Sequence, residues 1–216
     1  MATLYSAQLS PTKIELLSRW VPTQAWASGV DTSALESVGA FRFDDPDGEV
    51  GVETHLLGTP DGRVLQVPLT YRAHALEGAE GSFITTMQHS VLGERWVYDA
   101  SADPVYARAL AVTILLGGEQ AEMNYVTDHG FETRPSPTQV RGSGSSSADV
   151  PQVEHVSFVH EGDVTVIDAR ELELRVRRVV VPAHDGGATD DASLVGRWPG
   201  HDEWTLLSTA HSSVRR

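Results

Sequence analysis

The chain has no cysteine, which removes disulfides, thiolate nucleophiles and cysteine-ligated zinc together. It has one lysine, Lys13, so nothing beyond that position can supply a phosphate-binding lysine. No segment approaches the roughly 18 consecutive apolar residues that cross a bilayer. The most apolar helix candidate, residues 107–116, is interrupted by Arg108 and Thr113. The first thirteen residues lack the basic head and long apolar stretch of a secretory signal, and a cytoplasmic protein is expected. Basic residues are scarce, 16 against 30 acidic ones, for a net charge of −14. Such a surface repels phosphate backbones and anionic lipid, so neither nucleic acid nor membrane is an expected partner.

What is present is ordinary globular composition, 40% hydrophobic and 21% charged, in 216 residues. That length suffices for one large domain or two small ones. Ser10 and Pro11 read as N-cap and first residue of a helix, with Ile14, Leu17 and Trp20 as its apolar stripe and Pro22 as its stop. Residues 38–43, 50–57 and 64–71 then form a meander. Asp-Gly turns at 47–48 and 61–62 separate the runs, and Leu65, Val67, Leu69 and Tyr71 share a face. One or two further strands fit residues 82–98, with a break at Gly93. Asp103-Pro104 opens a second helix that Gly117-Gly118 closes.

Residues 133–151 are rich in Pro, Ser and Gly and read as an exposed linker or long loop. Strands follow over 153–159, 164–168 and 172–181, then a loose stretch over 182–191, then short strands near 194–198 and 204–207. Helix, meander, helix and meander indicate an α+β fold rather than alternating βαβ units.

Several motifs suggest chemistry and lack its other parts. Residues 142–147, Gly-Ser-Gly-Ser-Ser-Ser, suggest a phosphate loop, but no lysine, preceding strand or following helix start accompanies them. His160-Glu161-Gly162-Asp163 suggests a phosphotransfer loop, but a strand follows at once and the Glu-Gly-Asp reads as a hairpin turn. The nine histidines include no pair at metal-ligand spacing, and the acidic pairs Asp44-Asp45 and Asp190-Asp191 read as turn residues. No catalytic residue, cofactor or metal site is therefore predicted. One stretch, residues 87–99, concentrates hydrogen-bonding and stacking groups. Its His89, Arg95, Trp96 and Tyr98, with Arg175 and Arg177 further on, are the candidate docking or binding surface.

The strings Leu-Ser-Pro-Thr-Lys at 9–13, Val-Gly-Ala-Phe-Arg-Phe-Asp-Asp-Pro at 38–46 and Glu-Val-Gly-Val-Glu-Thr at 49–54 resemble the N-terminal cap of actinobacterial maltokinases. So do Val-Pro-Leu-Thr-Tyr-Arg at 67–72, His-Ser-Val-Leu-Gly-Glu-Arg-Trp-Val-Tyr-Asp-Ala at 89–100, and Asp-Pro-Val-Tyr at 103–106. The resemblance spans roughly residues 4–120, and residues 155–181 resemble the next sub-domain of those kinases loosely. It implies a curved antiparallel sheet wrapping helices with cystatin-like topology, as in the cap that sits on the nucleotide-binding lobe. Those kinases phosphorylate maltose or related sugars with ATP and feed α-glucan synthesis. Their catalytic lobe has no counterpart here, and the region that would carry the nucleotide lysine reads Glu-Leu-Arg-Val-Arg-Arg at 173–178. Arginine does not reproduce a lysine–phosphate contact.

The resemblance thus implies a cap-like domain over 1–132, a flexible linker or long loop over 133–151, and a mainly β sub-domain over 152–216 like a degenerate kinase intermediate lobe. It implies a non-catalytic accessory or regulatory module with a protein partner in glycogen or trehalose metabolism. The alternative is a small-molecule binder or degenerate kinase holding nucleotide or sugar in the concave face of the sheet, through residues 175–178 and 89–96.

Overall fold

The computed structural model describes residues 2–4, 8–127, 130–181 and 191–213. All of the loose stretch expected over 182–191 except Asp191 lies outside these residues, as does Asp190 of the acidic pair. The first half comprises β1 (Ala2–Leu4), β2 (Leu9–Ser10), helix α1 (Lys13–Trp20), β3 (Glu36–Phe43), β4 (Gly51–Gly58), β5 (Val64–Arg72), β6 (Phe83–His89) and β7 (Gly93–Asp99). Helix α2 (Pro104–Leu116) leads to β8 (Met123–Thr127), β9 (Gly130–Arg134) and β10 (Gln139–Gly142). The rest is β11 (Ser157–Glu161), β12 (Val164–Asp168), β13 (Leu172–Arg177), β14 (Val179–Val180), β15 (Ala192–Trp198) and β16 (His201–Ser212). The fold is α+β and mostly strand, with curled antiparallel sheets.

The expected meander, β3–β5, forms one end of a seven-stranded sheet ordered β2-β6-β7-β5-β4-β3, with β14 also paired to β5. Its register sets Phe41 opposite Thr54, and Leu57 opposite Leu65. A second, six-stranded sheet runs β10-β15-β16-β13-β12-β11. A small third sheet, β1-β8-β9, has no counterpart among the expected strands, and its β1–β8 pair is parallel.

Both faces of the seven-stranded sheet are covered. Leu65, Val67 and Leu69, with Tyr71 packed beside them, point together, as period-2 alternation predicts, into a core closed by Leu16 and Leu17 of α1 and by Trp26. The opposite face, with Phe41, Phe43, Val52 and Leu56, shares one core with Leu110 and Ile114 of α2 and Ile167, Leu174 and Leu207 of the six-stranded sheet. Helix α2 buries most of its circumference because it lies against β3 on one side and β10, β15 and β16 on the other. Its ends follow the expectation: Asp103 accepts from the Val105 N–H, Pro104 follows, and Gly117 adopts φ 68°.

Helix α1 starts later than expected. Thr12, not Ser10, is its N-cap, because Glu15 completes a capping box with Thr12, while Ser10 pairs with Gln88 in the sheet. The buried stripe accordingly runs through Leu16 and Leu17, and Ile14 is exposed.

The expected linker also differs in its middle. Residues 139–142 form the edge strand β10. The N–H groups of Gly142, Gly144 and Ser145 donate to the carbonyls of Gly118, Ile114 and Leu115. The glycine-rich run therefore closes the C-terminal end of α2, and the amides that would surround a phosphate are already used. Gly162 and Asp163 turn β11 into β12, so the Glu-Gly-Asp run sits at a hairpin as expected, with Glu161 the last residue of β11 and His160 paired with Thr165.

Candidate functional site

On the α1 side of the seven-stranded sheet, the apolar core gives way to a polar cleft of about 520 Å3. Helix α1 and strands β2 to β7 all contribute to its lining. The Thr12–Glu15 capping box sets Lys13 as the first residue of α1, with its ammonium 5.7 Å from the centre of the Tyr71 ring. Lys13 Nζ reaches Glu53 Oε2 at 2.5 Å. Cross-strand register puts Arg42 of β3 opposite Glu53 of β4. Strand alternation puts His55 on the same face, with Nε2 at 3.5 Å from Glu53 and 3.2 Å from the Tyr71 hydroxyl. The 44–50 loop borders the cleft, held by the Asp45 carboxylate, which accepts from the N–H groups of Asp47, Glu49 and Val50.

Burial alone would raise the pKa of Glu53, but the charges of His55, Lys13 and Arg42 outweigh it and bring it to about 2. Burial lowers His55 to about 4; the Glu53 charge opposes this, while Lys13 and Arg42 add to it. Above pH 4 His55 is neutral, so Lys13 and Arg42 hold Glu53 ionised. Burial and the Glu53 charge together push the Tyr71 hydroxyl well above its usual value.

A pH dependence follows. The unfolded chain protonates His55 at its ordinary value near 6.5 and the folded chain only near 4, so this contribution to stability is complete above 6.5 and is lost on acidification to 4. The shift corresponds to about 3 kcal/mol at about 1.36 kcal/mol per unit. Glu53, also depressed, contributes above 4.5 and loses its contribution as pH falls to about 2. Urea unfolding midpoints from pH 8 to 4 are expected to fall in the wild type and to fall less steeply in His55→Gln. Parallel slopes in the two proteins would refute the assignment.

The candidate surface residues do not form one site. His89 and Arg95 line the cleft. The His89 ring Nδ1 accepts from the N–H groups of Val91 and Leu92, and Arg95 Nη2 donates to the Leu92 carbonyl at 2.8 Å. These bonds shape the β6–β7 hairpin tip. Burial, then the charges of Arg95, Lys13 and Arg42, lower the His89 pKa.

Trp96 and Tyr98 point to the opposite face of β7, where both pack against Phe83, at 5.1 and 5.5 Å between ring centroids. Tyr98 is only 2% exposed and its hydroxyl accepts from the Leu76 N–H, so it offers no docking surface. Arg175 and Arg177 lie on β13 of the other sheet, where Arg175 is paired with Glu161 and Glu173. Their neighbour Arg178 is fully buried in the core (0% exposed). The cleft residues absent from the predicted set are Lys13, Arg42, Glu53 and Tyr71, with His55 beside them. For Arg42 and Glu53 the available signal was a charged residue within an apolar strand.

A second concavity, about 830 Å3, runs along α2 beside Val105, Val112 and Leu116, with Asp44, Asp47, Glu119 and Glu122 among its polar lining. Among the described residues no group of three histidine, aspartate or glutamate side chains could hold a metal, and no helix is long and apolar enough to cross a membrane.

A meander crossed on one face by α1 and covered on the other by α2 and a second sheet defines an α+β protein of curled antiparallel sheets. The family model of the maltokinase N-terminal cap domain matches residues 20–103, from the end of α1 through β7 to the N-cap of α2. The resemblance drawn from the motifs is thereby confirmed over 84 of the 216 residues. The chain carries a module related to the maltokinase cap, which is an accessory domain and not the catalytic part of those kinases. No curated protein matches the chain significantly.

Proposed function

We propose that this chain is a non-catalytic accessory module, cytoplasmic, that regulates or scaffolds an enzyme of α-glucan metabolism through a protein partner. The cap match over residues 20–103 carries this reading. Within the strings behind it, polar groups are used to hold the fold. Asp103 accepts twice from the Arg72 guanidinium at 2.7 Å and caps α2, and Asp99 pairs with buried Arg178. Internal ties of this kind suit a rigid platform. The groove along α2, apolar with an acidic lining, suits a partner segment that presents apolar and basic side chains together.

Two measurements test the reading. Purified protein given ATP and maltose is expected to form no maltose phosphate. Immobilised protein is expected to retain an α-glucan enzyme from its native cytosol, and Val112→Asp, at a position 37% exposed in the groove, is expected to lose it with the circular dichroism unchanged. Phosphoryl transfer by the chain, or retention indifferent to Val112→Asp, would overturn the proposal.

A further inference from the structure

Lys13, Arg42 and Arg95 come from α1, β3 and β7 yet line one cleft, in a protein whose net charge is −14. Lys13 is matched by Glu53. The two arginines are less fully used. The Nε–H groups of both are shielded from solvent and have no acceptor among the described residues. Arg95 donates through Nη2 to the Leu92 carbonyl, and the Arg42 side chain makes no hydrogen bond among the described residues. An arginine that lines a cleft with part of its donor set unused is a ready partner for an anion.

We infer that this cleft binds a compact metabolite whose oxyanion, a phosphate monoester or a carboxylate, is taken by Arg42 and Arg95 and whose body is hydroxylated. Guanidinium N–H groups form their strongest bonds with such oxygens. Glu53 and Tyr71 line the same cleft, and carboxylate and phenol oxygens bond hydroxyl groups. The volume is in the range of small-molecule sites. Asp44, Asp47 and Glu49 line the same cleft and oppose an anion there, but salt screens repulsion beyond about 8 Å while contact bonds persist. Asp45, also in the lining, turns its carboxylate onto its own loop. The inference goes beyond the proposed partner function and is measured without any partner, so failure of one leaves the other standing.

Calorimetric titration of the full chain tests it, with glucose 6-phosphate, gluconate and glucose as probes. Saturable one-to-one binding of glucose 6-phosphate or gluconate is expected, and none of glucose; the stronger anion identifies the oxyanion class. Arg42→Met and Arg95→Met are each expected to weaken binding about tenfold or more, and Arg42→Lys by less than Arg42→Met. Arg95 lies near a hairpin tip, so its variant remains informative if Arg42→Met does not fold. No saturable binding of either anion overturns the inference. So does binding of glucose with equal affinity, or affinity unchanged in Arg95→Met.

Discussion

Replacing Arg178 by methionine is expected to lower unfolding free energy by about 3–5 kcal/mol, the usual cost of removing one partner from a buried ion pair. Arg178 is fully buried between the two large sheets. Its Nη2 donates to both Asp99 carboxylate oxygens at 2.7 and 2.8 Å and to Ser101 Oγ at 2.7 Å, and its Nε donates to Thr165 Oγ1. The guanidinium carbon also lies 5.1 Å from the centre of the Trp26 ring. Methionine fills much of the volume but leaves Asp99 charged, buried and unmatched. Domains of this kind have total stabilities of about 5–15 kcal/mol, so the loss removes a large share. Adding Asp99→Val should recover part of it, because the uncompensated charge goes too. Recovery is incomplete because Asp99 also accepts from the Ser101 N–H. Denaturant midpoints of the two single variants and the double variant read the coupling directly. Strictly additive losses would show that the pair does not join the sheets.

Gly144→Ala should be the second most damaging change, about 2–4 kcal/mol from overpacking and lost hydrogen bonds. A Cβ at Gly144 would stand 1.9 Å from the Leu115 carbonyl oxygen and 2.2 Å from its carbon. Those are backbone atoms of the last turn of α2 and cannot swing aside, so the loop must lift. Lifting breaks the bonds from Gly144 N–H to Ile114 and from Ser145 N–H to Leu115. Amide exchange at Gly144 and Ser145 should accelerate together with the drop in denaturant midpoint. Exposed Ser146→Ala, two residues on, is the control and should change stability by less than about 0.5 kcal/mol. Equal behaviour of the two variants would return residues 143–147 to the status of a free connector.

These two predictions fall where sequence reading is weakest. Gly142 and Gly144 look like a linker by composition, and only the approach of α2 gives them a fixed position. Arg178 looks like one more cation in a charged strand. It marks instead the break between β13 and β14, where the chain leaves the six-stranded sheet to pair with β5. No local pattern announces that crossing. The α1 start was locally encoded, since Thr12 and Glu15 have capping-box spacing, and Ser10-Pro11 offered a competing signal.

The cleft shows the same division. The strings around Arg42, Glu53, Tyr71 and Arg95 were singled out for their resemblance, and the strands that hold them follow from alternation and Asp-Gly turns. That His89 and Arg95 belong with Lys13, while Trp96 and Tyr98 serve the opposite face, depends on sheet alternation combined with which face α1 covers.

By itself, the sequence determined the α+β class, the meander, both ends of α2, the hairpin at 160–163 and the cap resemblance. All of these rest on interactions within a few residues or on period-2 patterning. Tertiary structure alone decided the core shared by the two large sheets, the burial of Arg178, the capping of α2 by a distant loop, and the gathering of cations around Glu53. Each depends on contacts between residues tens of positions apart, whose partners only the packed chain selects.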